Sequence, residues 1–176
     1  AFIKKSEGYY SRSNYIAGIT HNVMSYGLKL GSSDYFGAHL FYLDSGLMDV
    51  TNEWYPDGTG EEFKVISMAF RMTYGRRMTD RLKLGVSINY IRDEIYTTAM
   101  QTLAFDVGSN FDTGIYGFIL GMSVTNFGPE VRYHGEGLDV RVPGELNADS
   151  TLAKVTKKFP LPLTLRLGVK NDIMGP

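Results

Sequence analysis

A strict two-residue period is the feature that most limits what this chain can become. Leu82, Leu84, Val86, Ile88 and Tyr90 fall on one face of an extended strand, and Lys83, Gly85, Ser87 and Asn89 fall on the other. A helix would scatter the same set around its circumference. The pattern returns in Ile66, Met68, Phe70, Met72 and Tyr74 against Val65, Ser67, Ala69, Arg71 and Thr73. It returns again in Leu161, Leu163, Leu165, Leu167 and Val169 against Pro162, Thr164, Arg166, Gly168 and Lys170. Two further strands are read from Tyr116, Phe118, Leu120, Met122 and Val124, and from Leu103, Phe105 and Val107; weaker patterns cover 19–30 and 35–43. An eighth strand fits before Tyr15, where alternation is poor. The expectation is an all-β chain of seven or eight antiparallel strands.

The connections divide into two kinds. Short turns are expected at 31–34, 75–80 and 109–114, whereas long polar connections are expected at 44–62, 92–99 and 127–160. Outer-membrane barrels show this asymmetry, with tight periplasmic turns and longer extracellular loops. A soluble sandwich or lipocalin has less reason to segregate its loops. The second face of each strand points the same way. A soluble barrel covers its outside with Lys, Glu and Thr, but here that face is mostly Gly, Ala, Ser, Thr and Asn with single charges. Such a face suits a narrow or filled lumen, with the apolar face outward in hydrocarbon. Leu84, Val86, Ile88, Phe118, Leu120, Leu165 and Leu167 are then expected to face lipid, and Gly85, Ser87, Asn89, Gly121 and Arg166 the lumen. Tyr74, Tyr90, Phe111 and Tyr116 would sit at the interfaces. The alternative is that they are ordinary core aromatics.

Composition removes several other classes. With 18 Lys+Arg against 19 Asp+Glu the net charge is -1, so no bulk charge draws the chain to nucleic acid. The absence of cysteine excludes disulfides, thiolate metal sites and cysteine nucleophiles. The opening AFIKKSEG lacks the apolar core of a signal peptide, which suggests a mature chain or a piece of a longer one. Its longest uncharged stretch, 113–129, is too short for a spanning helix and is broken by Gly114, Gly117, Gly121, Ser123 and Asn126. A chain like this enters a membrane only as a barrel.

Candidate chemistry is sparse. His21, His39 and His134 are far apart, with no carboxylate at metal-ligand spacing, so neither a metal site nor a cofactor is expected. No Ser, His and acid are marked for convergence, so no catalytic residue is expected either. The small-residue face does carry charges: Arg71, Lys83, Arg166 and Lys170, with Asp106 as its clearest acid. Together with Ser87 and Asn89 they form the candidate lumenal set, read either as an internal ion-pair network or as a constriction that selects a permeant. Arg76, Arg77 and Arg81 at a short turn would meet lipid headgroups or solvent. The 44–62 connection has six acids (Asp44, Asp49, Glu53, Asp57, Glu61 and Glu62) and no base, without the position pattern of a calcium loop. The 127–160 connection has mixed charge. Within it Val131, Tyr133, Leu138, Val140 and Val142 alternate enough to suggest a short hairpin, with Glu130, Arg132, Tyr133, Glu136, Asp139 and Arg141 as the candidate partner contacts.

Several segments also carry a resemblance. GTGEEF at 58–63, TYGRRMTDRLKLG at 73–85, NYI at 89–91, AFDVG at 104–108, SVTNFGPEV at 123–131 and FPLPLTLRLGV at 159–169 follow one another in a characteristic order. In this the chain resembles the PorV/PorQ-type outer-membrane proteins, relatives of the FadL-like barrels, from about Ser11 to Val169. The resemblance implies an antiparallel up-and-down transmembrane β-barrel in the outer membrane of a Gram-negative-type bacterium, of which this chain is the central part. Family members usually carry an Asn-Pro-Ala segment before this region and several closing strands after it, so an incomplete barrel is expected, needing missing strands or a complementing chain. The implied role is non-enzymatic: partners would be outer-membrane lipid and either secreted proteins or a surface attachment complex of type IX-like secretion. Two alternatives stay open, namely a FadL-like channel for hydrophobic small molecules and a structural barrel in a surface assembly.

Overall fold

The structure, a computed structural model, describes residues 3, 5–142, 150–153 and 156–171. Eight long strands form one antiparallel sheet: β1 (Ser6–Asn14), β2 (Thr20–Leu30), β3 (Asp34–Asp44), β6 (Val65–Arg77), β7 (Leu82–Ile95), β8 (Thr98–Asp112), β9 (Ile119–Phe127) and β12 (Thr164–Lys170). They lie in the order β1-β2-β3-β6-β7-β8-β9-β12, so every strand pairs with its nearest long neighbours in sequence. Two small hairpins decorate this meander, β4 (Met48–Asp49) with β5 (Glu62–Phe63), and β10 (Asp139–Val142) with β11 (Ser150–Ala153). No α-helix occurs among the described residues, and β1 and β12 each pair on one side only, so the sheet is not closed.

Register carries each strand's alternation across the whole sheet. Val86 stands opposite Tyr74 and Val107, Val107 opposite Val124, and Val124 opposite Leu165. One continuous apolar face results, running from Tyr10 and Met24 through Leu40, Phe70, Ile88, Phe105 and Met122 to Leu167. The other face aligns Thr73, Ser87 and Asp106, and next to them Arg71, Asn89 and Ala104.

Burial is inverted relative to a protein with an apolar core. On β8, Leu103, Phe105 and Val107 are 49%, 46% and 56% exposed, whereas Thr102, Ala104 and Asp106 are 8%, 0% and 8% exposed. Leu84, Val86, Ile88, Leu165 and Leu167 are likewise exposed. The buried apolar side chains among the described residues are Met100, Ala104 and Val131, gathered at one end of the small-residue face. There the chain leaving β9 folds back on the sheet. Val131 and Phe159 exchange both backbone hydrogen bonds, and His134 exchanges both with Ala99 at the start of β8. This close approach depends on glycine: a Cβ on Gly135, whose φ is +148°, would lie 2.0 Å from the Thr97 carbonyl oxygen. Gly135→Ala should therefore detach this segment at a cost of at least ~2 kcal/mol. Faster tryptic cleavage after Arg132 would report it.

Several expectations are corrected. Residues 92–99 are not a long connection, because β7 runs to Ile95 and β8 starts at Thr98, leaving a two-residue turn with Tyr96 at φ 55°. Gly75 and residues 109–112 are strand and not turn, since β6 reaches Arg77 and β8 reaches Asp112. Tyr116 and Phe118, expected on a strand, belong to the 113–118 turn, where Phe118 N–H donates to the Ile115 carbonyl and Gly117 has φ 72°. Leu161 and Leu163 precede β12, held off the ladder by Pro160 and Pro162, which lack the N–H it needs. Val131 and Tyr133 lie outside the hairpin expected in 127–160, which forms between β10 and β11. The two longest connections still share one end, but the two-residue turn at 96–97 lies at that end as well. The turns at 31–33, 78–81 and 113–118 share one end, and those at 15–19, 45–64, 96–97 and 128–163 share the other.

Candidate functional site

The six polar residues expected in the lumen, Arg71, Lys83, Ser87, Asn89, Asp106 and Arg166, all lie on the small-residue face. Five of them, all but Asn89, line a hollow of about 580 Å³ on that face. Its lining comes from five neighbouring strands, β6, β7, β8, β9 and β12.

Arg71 anchors a network across three strands. Its Nε donates to Asn89 Oδ1 on β7, and its Nη2 lies 3.3 Å from Asp106 Oδ2 on β8. Asp106 Oδ1 in turn accepts the Asn126 backbone N–H at 2.8 Å. That N–H is available because β9 carries one extra residue here. Phe105 opposes Phe127 and Val107 opposes Val124, so Thr125 and Asn126 together face Asp106, with Asn126 at φ 62°. The Asn126 side chain then donates to the Pro162 carbonyl at 3.1 Å, tying the bulge to the approach of β12. Beside this chain of bonds, the Thr73 and Ser87 hydroxyls meet at 2.9 Å. Asn89 is 3% exposed, and its Nδ2 is a buried donor with no hydrogen-bond partner among the described residues.

The histidines serve local structure. His39 Nδ1 and Ser25 Oγ are 2.7 Å apart, and the His21 ring packs edge-on against Phe41. Among the described residues no three His, Asp or Glu side chains gather in a way that would hold a metal ion.

Polar groups on the apolar face sit at its two rims. Arg92 and Glu94 form an ion pair at 2.9 Å at one end, and Arg76 and Asp34 one at 3.5 Å at the other. Tyrosine hydroxyls turn toward the nearer rim. Tyr10 donates to Asn22, Tyr42 to Asp44 and Tyr90 to Gln101, all toward the end with the long connections, while Tyr74 donates to Asp34 toward the short turns.

The six candidate contact residues after β9 are spread over the returning segment and β10. Glu130 and Glu136 are exposed, and Arg132 donates from Nε to His134 Nε2 at 3.2 Å. Tyr133 instead stacks on Phe159, and Thr156 Oγ1 bonds both its N–H and its carbonyl. Asp139 and Arg141 lie on β10, opposite Ala153 and Thr151. Burial raises the Tyr133 phenol above its ordinary value, and the nearby Asp93 carboxylate adds to the effect. A raised tyrosine favours the folded segment while the phenol is neutral. That contribution is complete below the unfolded value of about 10 and is lost as pH rises through the folded one. Alkaline titration should thus expose Arg132 to trypsin.

The exposed aromatics of the 45–64 connection, Trp54 and Tyr55, gave no periodic signal in the sequence, nor did the extra residue at Asn126. No protein-family model matches the chain, and comparison with curated proteins finds no match.

Proposed function

We propose that the chain is part of an outer-membrane β-barrel that acts without enzymatic chemistry, holding exported proteins or a surface complex at the end with the long connections. One observation carries the membrane reading: large apolar side chains are exposed along the sheet, while on β7 and β8 the opposite face buries Asn89, Thr102, Ala104 and Asp106. Water penalises such an inversion at roughly 25 cal/mol for each Å² of apolar surface left exposed, and hydrocarbon removes the penalty. Rim ion pairs and outward-turned tyrosine hydroxyls support the same reading, since amphipathic rings favour the membrane interface. The secretion role rests on the resemblance to PorV/PorQ-type proteins and on the length and polarity of the connections at one end. An apolar permeant of the FadL-like kind is less well served, because the hollow is lined by Arg71, Lys83, Asp106 and Arg166.

The chain has no cysteine, so single cysteines test the orientation directly. Val86→Cys should be shielded from a water-soluble maleimide and its fluorophore adduct quenched by brominated lipid; Ser87→Cys should show the reverse. Equal labelling of the two sites would end the membrane reading. For the secretion role, a short Gly/Ser linker in place of 130–157 should leave insertion intact and abolish recovery of protein partners. Unchanged recovery would remove that segment from the mechanism.

A further inference from the structure

The short-turn end of the sheet presents a surface that is apolar and basic at once. Met78 opens the turn between β6 and β7, Ile115 and Tyr116 lie in the turn between β8 and β9, and all three are exposed, Tyr116 by 88%. These two turns touch. The Asp112 N–H donates to the Arg81 carbonyl, and a Cβ on Gly114 would lie 2.9 Å from Arg81 Cζ, so the guanidinium rests over the backbone that leads to Ile115. The apolar face of the sheet begins directly inside the turns, where Leu82 stands opposite Phe111 and Leu84 opposite Arg76. The basic surface is therefore continuous with the wall read above as facing lipid.

Two of its cations have no acidic partner. Arg77 and Arg81 are exposed and form no ion pair among the described residues. Arg77 Nη2 reaches the Ser32 carbonyl at 3.4 Å, a long contact with a neutral acceptor. The acids close by are mostly engaged: Asp34 holds Arg76 and accepts the Tyr74 hydroxyl, and Asp112 Oδ1 accepts the Gly114 N–H, which leaves Asp80 as the one acid inside the 78–81 turn. The other end of the sheet has the reverse character. Its 44–62 connection holds six acids and no base, and Arg92 on its outward rim is held by Glu94 at 2.9 Å.

Unpaired arginines beside exposed apolar tips, at the margin of a lipid-facing wall, match a phospholipid. The guanidinium groups suit the headgroup phosphate, and the tips suit the glycerol and the first methylenes. A free phosphate would leave the tips in water. We propose that the short-turn rim recognises anionic phospholipid through Arg77 and Arg81, and that the end with the long connections does not. This rests on the membrane reading and adds to it a lipid class and a side.

The chain has no cysteine, so a fluorophore can be placed at one position at a time. Leu84→Cys reports on the lipid beside the basic rim, and Leu103→Cys, opposite Tyr90 on the same apolar face, reports on the other end. In vesicles of mixed phosphatidylglycerol and phosphatidylcholine, brominating one lipid at a time gives the local share of each from quenching. Phosphatidylglycerol should be enriched about fivefold at Leu84, the effect of one cation near an anionic surface, and not at Leu103. The enrichment should vanish in the double variant Arg77→Gln with Arg81→Gln and shrink at 1 M salt. Arg77→Lys with Arg81→Lys keeps the charge and should keep the enrichment; its loss there too would trace the effect to the shape of the turn and overturn the proposal. Equal enrichment at both labels, or enrichment that survives the glutamine variant, would overturn it as well. Equal quenching by the two lipids at Leu84 would overturn it and leave the membrane reading intact, whereas no quenching of either label by either lipid would sink both together.

Discussion

Val86→Arg should lower the stability of the chain in lipid vesicles by about 2–4 kcal/mol, the cost of arginine near the middle of a barrel's lipid face. Val86 lies within the apolar face, flanked by Tyr74 and Val107 on the neighbouring strands, and it is 49% exposed. Its guanidinium would have no polar partner at that level and could escape only by reaching a rim. Ser87→Arg, one residue on, should be far milder, because its side chain would enter a hollow that already holds the Asp106 carboxylate. Denaturant titration of vesicle-folded variants measures both. A soluble sheet would give the opposite order, since arginine at an exposed Val86 would then meet water. The experiment thus distinguishes the two environments by sign as well as by size.

Asp106→Ala should destabilise the chain by about 2–3 kcal/mol, from an unsatisfied N–H and the loss of an ion pair. Its two oxygens perform different tasks: one satisfies the spare Asn126 N–H of the β9 bulge, and the other holds Arg71 at 3.3 Å. The Arg71 side chain is 47% exposed, so solvent screens it and the ion pair is the smaller share. Asp106→Asn should accordingly recover most of the loss, because an amide oxygen still accepts the bulge N–H. Arg71→Gln alone should cost less than Asp106→Ala. If Asp106→Asn is as damaging as Asp106→Ala, charge pairing and not the bulge governs this site.

The strands and the sidedness of this fold were legible because side-chain alternation is a local property. Leu82 to Tyr90 names its own two faces, and register then propagates them from β1 to β12. The Tyr96-Thr97 turn was hidden for two reasons. Arg92, Asp93 and Glu94 mask the end of β7 with charge, and the turn lacks the Asn-Gly or Asp-Gly pair that usually marks a two-residue hairpin. Arg71 and Asp106 were placed on one face by parity alone, but their contact needs the registers of both the β6–β7 and the β7–β8 pairs. Turn length sets those registers. The bulge at Asn126 left only the weak hint that asparagine tolerates positive φ. Nothing in the order of residues announced that Gly128, Gly135 and Gly137 would press against β8 and its turn, since that contact depends on where a long connection returns.

On the proposed membrane reading, the tyrosines at the rims give the molecule a gauge of thickness. Tyr74 pairs with Val86 and Phe70 with Tyr90, so the rows carrying Tyr74 and Tyr90 are four residue steps apart, about 13 Å along the strand. With hydroxyls turned outward at both ends, the two rings lengthen the dry stretch beyond that spacing. The result approaches the roughly 25 Å apolar band of outer-membrane barrels and falls short of the ~30 Å core of an average bilayer. A thicker membrane would draw Asp34 and Arg92 toward hydrocarbon unless lipid thinned around the sheet, and each ångström of mismatch costs fractions of a kcal/mol. In vesicles of graded acyl length, the chain should therefore fold best in the thinner ones and would be sorted by bilayer thickness before any partner is met.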